Sequence, residues 1–202
     1  MYSTRSGLVL GFHGCDESVV QAVLNGHLFL KTSTNSYDWL GHGIYFWENS
    51  PARAYEFAEH LRQYPNRSKG NIIKPAVIGA VIDLGICLDL LDYQNLQFLK
   101  SAYLITTTQN NIPMPKNKAI DNSGGILLKE LDCTVIETVH ALKRQACQSP
   151  FDSVRGVFFE GEEIYPGASF RLKDHIQICV RNPNCIKGFF LPRELDTHFP
   201  KV

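Results

Sequence analysis

The sequence has no excess of either charge: its 202 residues include 20 lysines and arginines and 20 aspartates and glutamates, for a formal net charge of +0. A neutral chain does not favour a long basic groove for nucleic acid, although its cations can still gather on one face. The sequence also has no run of about 18 apolar residues, which argues against a membrane-spanning helix. Its N-terminus lacks the charged and apolar segments of a secretory signal, so we expect a cytoplasmic protein without a membrane partner.

A second absence concerns the six cysteines, which form no Cys-x-x-Cys pair. The sequence therefore predicts no structural zinc site and no metal cofactor. Six cysteines would also suit three disulfides. The apolar neighbours of Cys87 and Cys179 instead favour thiols that pack in the core of a protein from a reducing compartment.

Internal repeats, low-complexity tracts and linkers between domains are absent as well. Because 44% of the residues are hydrophobic, the chain can bury one full core, and we predict a single, monomeric domain over residues 1–202. Residues 106–125 stand apart, because Pro113, Pro115 and the pair Gly124-Gly125 predict an insertion or a mobile loop there.

Apolar periodicity predicts most of the secondary structure. Glycine-bounded or alternating apolar runs predict strands at residues 7–12, 43–47, 72–84, 156–159, 175–180 and 187–191. Helical spacing and helix-start residues predict helices at residues 16–24, 50–61, 91–102 and 126–144. This order of elements predicts an α+β domain whose sheet is split, mixed or antiparallel, rather than doubly wound.

Two short motifs contain the candidate chemistry. His13 and Gly14 follow the first apolar run, where a strand would hold the imidazole still and the glycine would let a ligand approach the backbone. Alone, this pair is more typical of a histidine at the core edge that bonds a carbonyl. The second motif, GHGIYF over residues 41–46, is not a dinucleotide fingerprint, because it lacks a third glycine and precedes a strand. Alone, it indicates a bulge that leads into a core strand.

In combination, the two motifs resemble the donor site of the poly(ADP-ribose) polymerase-like, diphtheria-toxin-type ADP-ribosyltransferases. The resemblance continues into the helix predicted at residues 50–61 and, in general order, through the last strands. It implies an ADP-ribosyltransferase-like fold with a split sheet and flanking helices, and NAD as the cosubstrate. In such a site His13 would hydrogen-bond the adenosine ribose, Gly14 would bind the nicotinamide carboxamide, and Tyr45 would stack on the nicotinamide ring. Tyr55 is the candidate for a second aromatic side chain on the other face of that ring.

The third residue of the resemblance departs from the family pattern. The family usually has a glutamate on a late strand, and the sequence HIQICV at residues 175–180 places Gln177 at that position. Glutamine can accept a hydrogen bond from the ribose hydroxyl, but it supplies no negative charge to an oxocarbenium-like transition state. The acidic loop before this strand could supply a carboxylate, with Glu160 and Glu162 ahead of Glu163. Such a loop is as often simply hydrated.

The resemblance predicts an NAD-dependent mono-ADP-ribosyltransferase that transfers ADP-ribose to a protein or nucleic acid and releases nicotinamide. Its candidate catalytic residues are His13, Tyr45 and Gln177. Two alternatives are an NAD glycohydrolase and a catalytically silent module that binds NAD or ADP-ribose, since Gln177 lacks the family carboxylate. The biological role is open between a toxin, a phage-conflict effector and a housekeeping modifier.

Two further hypotheses lie outside this family. A cysteine hydrolase could use Cys15 with His13, His140 or His175, but only the residue types favour it. A plain interaction domain would bind no NAD, so its melting temperature would not respond to NAD.

Overall fold

The computed structural model describes residues 7–65, 70–109, 114–119, 127–194 and 196–200. Its strands are β1 (Val9–Asp16), β2 (Ile44–Glu48), β3 (Pro75–Ile82), β4 (Cys87–Asp89), β5 (Lys118–Ala119), β6 (Leu127–Leu128), β7 (Ser153–Phe158), β8 (His175–Val180) and β9 (Ile186–Phe190). Its α-helices are α1 (Glu17–Leu24), α2 (Pro51–Gln63), α3 (Tyr93–Gln109) and α4 (Glu130–Gln145).

Seven of these strands form one mixed sheet in the order β4-β7-β8-β2-β1-β3-β9. β4 and β7 run parallel, whereas the other neighbouring pairs in this sheet are antiparallel. β5 and β6 form a separate two-stranded ribbon. The predicted α+β class, with a mixed sheet and helices beside it, is therefore confirmed.

Helices cover both faces of the sheet. Successive side chains along a strand point to opposite faces, so each central strand contributes side chains to both layers. On one face, called the α1 face, Val20 of α1 shares a buried cluster with Phe46 and Ile178. On the opposite face, called the α2/α4 face, Trp47 packs against α2 and Cys179 packs against α4. The two apolar layers together explain why both faces of the central strands are buried.

The hydrogen-bonded ladder between β1 and β2 is short. It contains two residue pairs, of which Phe12–Trp47 is the last, whereas β1 continues along β3 and β2 continues along β8 beyond that pair. Pairing therefore ends in the middle of the sheet, between its two halves. We call the gap beside residues 13–16 of β1 and residues 44–45 of β2 the β1/β2 notch.

The starts and ends of some elements differ from the sequence-based predictions. β1 extends to Asp16, so His13 lies inside a strand and not at its end. α2 begins at Pro51 as predicted, but the side chain of Ser50 makes no capping hydrogen bond. β4 is missing from the predictions because its three residues are too few to show a periodicity.

The loop predicted at residues 106–125 is partly helical. α3 continues through residues 106–109, and the hydroxyls of Thr106 and Thr108 donate to carbonyls one turn earlier, which satisfies these polar side chains within the helix. Residues 110–113 and 120–125 of the predicted loop lie outside the described residues. The predicted helix at residues 126–144 begins at Glu130 because the preceding leucines belong to β6.

Three general properties of the described part of the chain bear on function. None of its helices is both long and apolar enough to cross a membrane. Within the same residues, no group of three or more histidine, cysteine, aspartate or glutamate side chains is arranged to hold a metal ion. Cys15, Cys133, Cys179 and Cys185 are buried free thiols, and Cys87 packs partly buried against the α1-face core.

Candidate functional site

His13 lies at the inner end of the β1/β2 notch. Its ring is half-buried on the α1 face, with its centroid 5.9 Å from that of Phe46, and its Nδ1 is 2.8 Å from the carbonyl oxygen of Tyr45. Because a carbonyl can only accept, Nδ1 must carry the hydrogen, which leaves a lone pair on Nε2. Burial lowers the pKa of His13, and the Tyr45 bond opposes this only in part, so Nε2 is a hydrogen-bond acceptor at neutral pH.

Gly14 places peptide groups beside the notch. The carbonyl of Leu10 accepts from the N–H of Asn49, at 3.0 Å, so the peptide groups of Leu10 point towards the β2 side. Because this direction alternates along a strand, the N–H and C=O of Gly14 point to the same side, beyond the last β1–β2 pair. A Cβ at Gly14 would lie 1.9 Å from the carbonyl oxygen of Ala54, so α2 packs against this backbone only because the residue is glycine.

Tyr45 holds the turn that precedes β2. Its hydroxyl donates to the carbonyl of Gly41 at 2.7 Å and accepts from the N–H of Leu40 at 2.8 Å. Its ring packs with the core beneath α4, and burial raises its pKa well above the usual value. The side chains of Tyr45 and His13 therefore lie on opposite faces of the sheet, and the contact between the two residues runs through the Tyr45 carbonyl.

The expected second aromatic is not next to Tyr45. Tyr55 is 47% exposed on α2, its hydroxyl bonds Glu59 at 3.3 Å, and no described contact joins it to Tyr45. The aromatic that α2 presents to β2 is Phe57, whose ring centroid is 5.0 Å from that of Trp47. Tyr55 and Phe57 are two residues apart, so helix register decides which of them faces the sheet.

Gln177 lies on β8, opposite Trp47 of β2 and Gly156 of β7. It is half-buried on the α2/α4 face, which it shares with His175 and Cys179 by the alternation of the strand. The structure thus brings Gln177 next to Trp47, which belongs to the last pair of the β1–β2 ladder.

A cluster that the sequence-based prediction did not assemble lies on this same face. We call Trp47, Arg53, Glu160 and His175 the polar cluster. The ring centroids of Trp47 and His175 are 6.2 Å apart, Arg53 Nη2 is 2.8 Å from Glu160 Oε2, and His175 Nδ1 is 3.9 Å from the same oxygen. These residues come from β2, α2, the loop after β7 and the start of β8, so only the folded chain brings them together.

Three nitrogens of the polar cluster are buried without a hydrogen-bond partner among the described residues. They are Nε1 of Trp47, Nε of Arg53 and Nε2 of His175. Buried polar atoms are nearly always paired, and three unpaired atoms in one cluster indicate a place that a polar ligand or water fills. The imidazole of His13 could be suspected from its motif, whereas nothing in the local sequence around His175 distinguishes it from a core histidine.

The tautomer of His175 follows from its surroundings. Nδ1 is 2.7 Å from the carbonyl oxygen of Lys173, so Nδ1 carries the hydrogen and Nε2 keeps its lone pair. Burial is the main cause that lowers the pKa of His175, and Arg53 acts in the same direction. The Lys173 carbonyl, Glu160 and Asp174 oppose this shift. The ring is therefore neutral at neutral pH.

Residues 159–174 between β7 and β8 form an arm, called the β7–β8 arm. Its two sides pair through the Leu172 N–H with the Glu162 carbonyl and the Lys173 N–H with the Glu160 carbonyl. Of the acidic residues expected here, Glu160 faces the polar cluster. Glu162 is exposed, and the Glu163 carboxylate accepts from the N–H of Gly167 at the tip.

Ion pairs tie the β7–β8 arm to α2. Glu160 pairs with Arg53, Lys173 pairs with Glu56, and Arg53 and Glu56 also pair with each other. These groups are partly exposed, and such pairs typically contribute only about 0–1 kcal/mol each. The arm is thus held beside the polar cluster by contacts that are individually weak.

The surroundings of Cys15 do not favour a role as a catalytic nucleophile. Its side chain is buried on the α1 face, and burial, with a smaller effect of Asp16, raises the pKa of its thiol to about 11. A catalytic cysteine instead needs a lowered pKa, because the thiolate is the nucleophile.

A separate surface groove of about 450 Å³ lies between His42 and the outer side of α4, where Cys133, Glu137 and Arg144 line it. The Glu137 carboxylate already has hydrogen-bond partners in this groove, because Arg181 and the N–H of His42 both donate to it. The groove shares no lining residue with the notch or the polar cluster.

The structure thus offers two candidate features: the notch, with the acceptor nitrogen of His13 and the peptide groups of Gly14, and the polar cluster on the α2/α4 face, where Trp47 belongs to the last β1–β2 pair. In comparison with known proteins, no family model, no curated protein and no solved structure matches the chain.

Proposed function

We propose that the chain is an NAD-dependent mono-ADP-ribosyltransferase with an ADP-ribosyltransferase-like split sheet. It would transfer ADP-ribose to a macromolecular acceptor, protein or nucleic acid, and release nicotinamide. The observation that supports this most directly is the interrupted β1–β2 ladder, beside which His13 and Gly14 lie. An uninterrupted ladder would leave no room for a ligand between these strands.

Recognition of NAD in this proposal uses backbone and ring atoms. The N–H and C=O of Gly14 bind the nicotinamide carboxamide and fix the rotation of the ring. Nε2 of His13, which keeps its lone pair because Nδ1 donates to the Tyr45 carbonyl, accepts from a hydroxyl of the adenosine ribose. Tyr45 contributes by its carbonyl and by holding the Leu40–Gly41 turn, rather than by presenting its hydroxyl to the ligand.

The chemistry is cleavage of the bond between nicotinamide and C1′ of the ribose. The nicotinamide of NAD is already cationic, so it leaves without a general acid, and the ribose passes through an oxocarbenium-like state. Gln177 can accept from the ribose 2′-hydroxyl, but it offers no charge. Catalysis then depends mainly on orientation of NAD and on exclusion of water.

The decisive experiment measures nicotinamide release and the heat of NAD binding with the purified protein. His13→Ala removes the ribose contact and the bond to the Tyr45 carbonyl, so we expect binding to weaken at least about tenfold, as for loss of a hydrogen bond to a buried partner. His27→Ala, an exposed histidine after α1, is the matched control and should bind like the unchanged protein. Absence of any heat with NAD would contradict the proposal.

A second candidate is a catalytically silent module that binds NAD or ADP-ribose. It is favoured by one observation, namely that the carboxylate of Glu160 in the polar cluster is ion-paired with Arg53. Binding of NAD without nicotinamide release would support this module. Release without transfer of labelled ADP-ribose to protein or nucleic acid in a lysate would instead support a glycohydrolase.

A further inference from the structure

The β7–β8 arm exposes all of its large apolar side chains to solvent. They are between 47% and 66% exposed, and they are Phe159, Ile164, Tyr165, Phe170 and Leu172. None of them belongs to, or packs against, the buried clusters formed by the described residues. Single exposed apolar residues are common, but several together on one short segment mark a surface that another molecule covers.

Three of these side chains lie on one face of the arm. The two sides of the arm pair as an antiparallel ribbon, in which Glu163 lies opposite Arg171. One residue further towards the tip, the N–H of Ile164 donates to the carbonyl of Phe170 at 3.2 Å. Because successive side chains along each side point to opposite faces, Ile164, Phe170 and Leu172 share the face opposite to that of the Glu163–Arg171 pair.

The charge at this apolar face is negative. Glu162 lies there beside Leu172, whose N–H donates to the Glu162 carbonyl at 2.9 Å, and its side chain is exposed. Other charges of the arm are engaged elsewhere: Glu160 and Lys173 pair with α2, and Arg171 donates to a backbone carbonyl within the arm. An exposed carboxylate therefore borders the apolar side chains.

Hydrogen bonds within the arm hold its shape. At the tip, the Glu163 carboxylate accepts from the N–H of Gly167 at 2.8 Å. Near the base, the Asp174 carboxylate accepts from the N–H of Arg171 at 2.8 Å. A preformed surface loses less conformational entropy on binding than a loop that must first become ordered. The arm is therefore suited to rigid docking.

The arm leaves the sheet at the end away from the β1/β2 notch. Its base is the Phe158–His175 pair of β7 and β8. On β8, His175 lies two residues before Gln177, and Gln177 lies opposite Trp47. Trp47 belongs with Phe12 to the last β1–β2 pair, and His175 lies on the side of that pair away from the notch. A molecule bound to the arm therefore need not cover the notch.

The size of the apolar surface fits one protein–protein interface. A buried aromatic side chain contributes about 150–250 Å², so the five partly exposed side chains offer on the order of 500 Å². A standard interface takes about 800 Å² from each partner, and somewhat more than half of that area is apolar. The arm can thus supply the apolar part of one such interface.

A second copy of this chain is a poor occupant for this face. Two arms that met through it would bring both Glu162 carboxylates into one apolar interface, where like charges repel each other and lose hydration. The same carboxylate disfavours the phosphates of a nucleic acid or of an anionic membrane. Charge complementarity instead favours a different protein, with a lysine or arginine beside an apolar surface.

We propose that the β7–β8 arm is a docking element for another protein, which binds it in an apolar groove bordered by a lysine or arginine. Phe170 and Leu172 enter the groove, and the basic side chain of the partner pairs with Glu162. This interface lies apart from the notch, so the inference goes beyond the proposed function and does not depend on NAD binding.

The test begins by identifying the partner. Leu172 is replaced by a photo-crosslinking phenylalanine derivative, the full chain is irradiated in a lysate of its source cells, and the attached protein is identified by mass spectrometry. Capture alone does not decide the question. The identified protein is therefore purified, and its dissociation constant for the unchanged chain and for the variants is measured by calorimetry.

Two variants of the arm have matched controls outside it. Phe170→Ser should weaken binding about tenfold or more, as for an aromatic anchor of an interface. Glu162→Lys should weaken it about fivefold at about 0.05 M salt and less at about 0.5 M salt, because salt screens the charge pair. The exposed Phe29→Ser and Glu194→Lys should bind within about twofold of the unchanged chain.

A lysine-to-glutamate or arginine-to-glutamate change in the partner's groove should restore binding to Glu162→Lys, which identifies the charge pair directly. Phe170→Ser should keep the melting temperature within about 2 °C, because its side chain packs in none of the buried clusters. A much lower melting temperature would give Phe170 a structural role and would overturn the inference.

Four other results would also overturn it. The first is that no protein is crosslinked, and the second is that Phe170→Ser binds the identified protein as tightly as Phe29→Ser does. The third is dimerisation, measured by sedimentation, that Phe170→Ser abolishes, because the occupant would then be a second copy. The fourth is binding to phosphatidylcholine–phosphatidylserine vesicles that Phe170→Ser abolishes, because the arm would then bind a membrane.

Discussion

Burial lowers the pKa of three histidines of this protein, but their hydrogen bonding differs. His13 and His175 each donate from Nδ1 to a backbone carbonyl, at 2.8 and 2.7 Å. His140, on α4, is completely buried against Phe151, and neither ring nitrogen has a partner among the described residues. The first two histidines are oriented by the backbone, whereas His140 acts as an apolar side chain that retains the ability to take up a proton.

A consequence at the residue scale is acid sensitivity through His140. Burial, with a further effect of Arg181, lowers its pKa from 6.5 to about 4. As the pH falls between these values, the unfolded chain binds a proton that the folded chain does not, so the free energy of unfolding decreases. The decrease from this one group is at most about 3–4 kcal/mol, at 1.36 kcal/mol per pKa unit. Urea denaturation at a series of pH values measures it.

His140→Leu should therefore make the free energy of unfolding depend less on pH between about 4 and 6.5. Some dependence will persist, because His13 and His175 act in the same direction. The exposed His27→Leu is the control and should leave the slope as it is. An unchanged slope in His140→Leu would contradict the assignment.

At the residue scale, the sequence allowed candidate site residues to be predicted where they belong to a local motif. His13 and Gly14 could be named because a histidine and a glycine adjoin an apolar run. The polar cluster could not be predicted, because Trp47, Arg53 and His175 come together only when separate parts of the chain pack in the fold. Their spacing along the chain gives no sign of that packing.

Among the elements, the contact of α2 with β1 depends on one glycine. The backbone carbonyl of Ala54 occupies the place where a side chain at Gly14 would be. Gly14→Ala must therefore displace α2, and we expect a loss of about 2 kcal/mol or more, within the usual range for overpacking. Gly188→Ala in β9 is a matched control, because a Cβ there meets nothing within 4 Å.

Thermal or urea denaturation of the two alanine variants measures this difference. Gly188→Ala should be as stable as the unchanged protein or slightly more stable, because alanine restricts the unfolded chain. Equal stability of the two variants would show that α2 yields to the added methyl group without cost.

Element prediction succeeded where one periodicity dominates. The strand predicted at residues 175–180 coincides with β8, because its alternating side chains divide between the two faces of the sheet. It failed at the end of α3, because the threonines at residues 106–108 are typical of loops and their hydroxyl bonds within the helix follow from the fold. The register of α2, which turns Phe57 and not Tyr55 towards β2, likewise depends on packing.

For the molecule as a whole, one buried guanidinium joins strands of the sheet that are far apart in the chain. Arg155 of β7 is 2% exposed, its Nε is 2.5 Å from Glu48 of β2, and its Nη1 is 3.2 Å from Asp89 of β4. Arg155→Met would leave the partly buried carboxylates of Glu48 and Asp89 without this buried cation. We expect the free energy of unfolding to fall by about 3–5 kcal/mol, the usual effect of removing one partner from a buried ion pair.

Equilibrium unfolding in urea tests this prediction against Lys187→Met. Lys187 is about half exposed and lies 3.8 Å from Asp83, so its removal should change stability by less than about 1 kcal/mol. A loss below about 1 kcal/mol in Arg155→Met would mean that the two carboxylates find other partners or protons, and would contradict the role assigned to this triad.

The class of the fold was predictable at this scale, whereas the strand order was not. Composition and the order of elements predicted an α+β domain with a mixed sheet. The parallel pairing of β4 with β7, and the position of β2 between β8 and β1, depend on contacts between residues far apart in the chain. Periodicity reports which face of a strand is buried, but not which strand lies beside it.

The brevity of the β1–β2 ladder has a mechanical consequence. The ladders on either side of it, β1 with β3 and β2 with β8, belong to different halves of the sheet, and two residue pairs join one half to the other. A small rotation between the halves would widen or narrow the space between them without breaking either of these flanking ladders. A molecule that bridged both halves would oppose that rotation, so its affinity would include the free energy of making the sheet rigid.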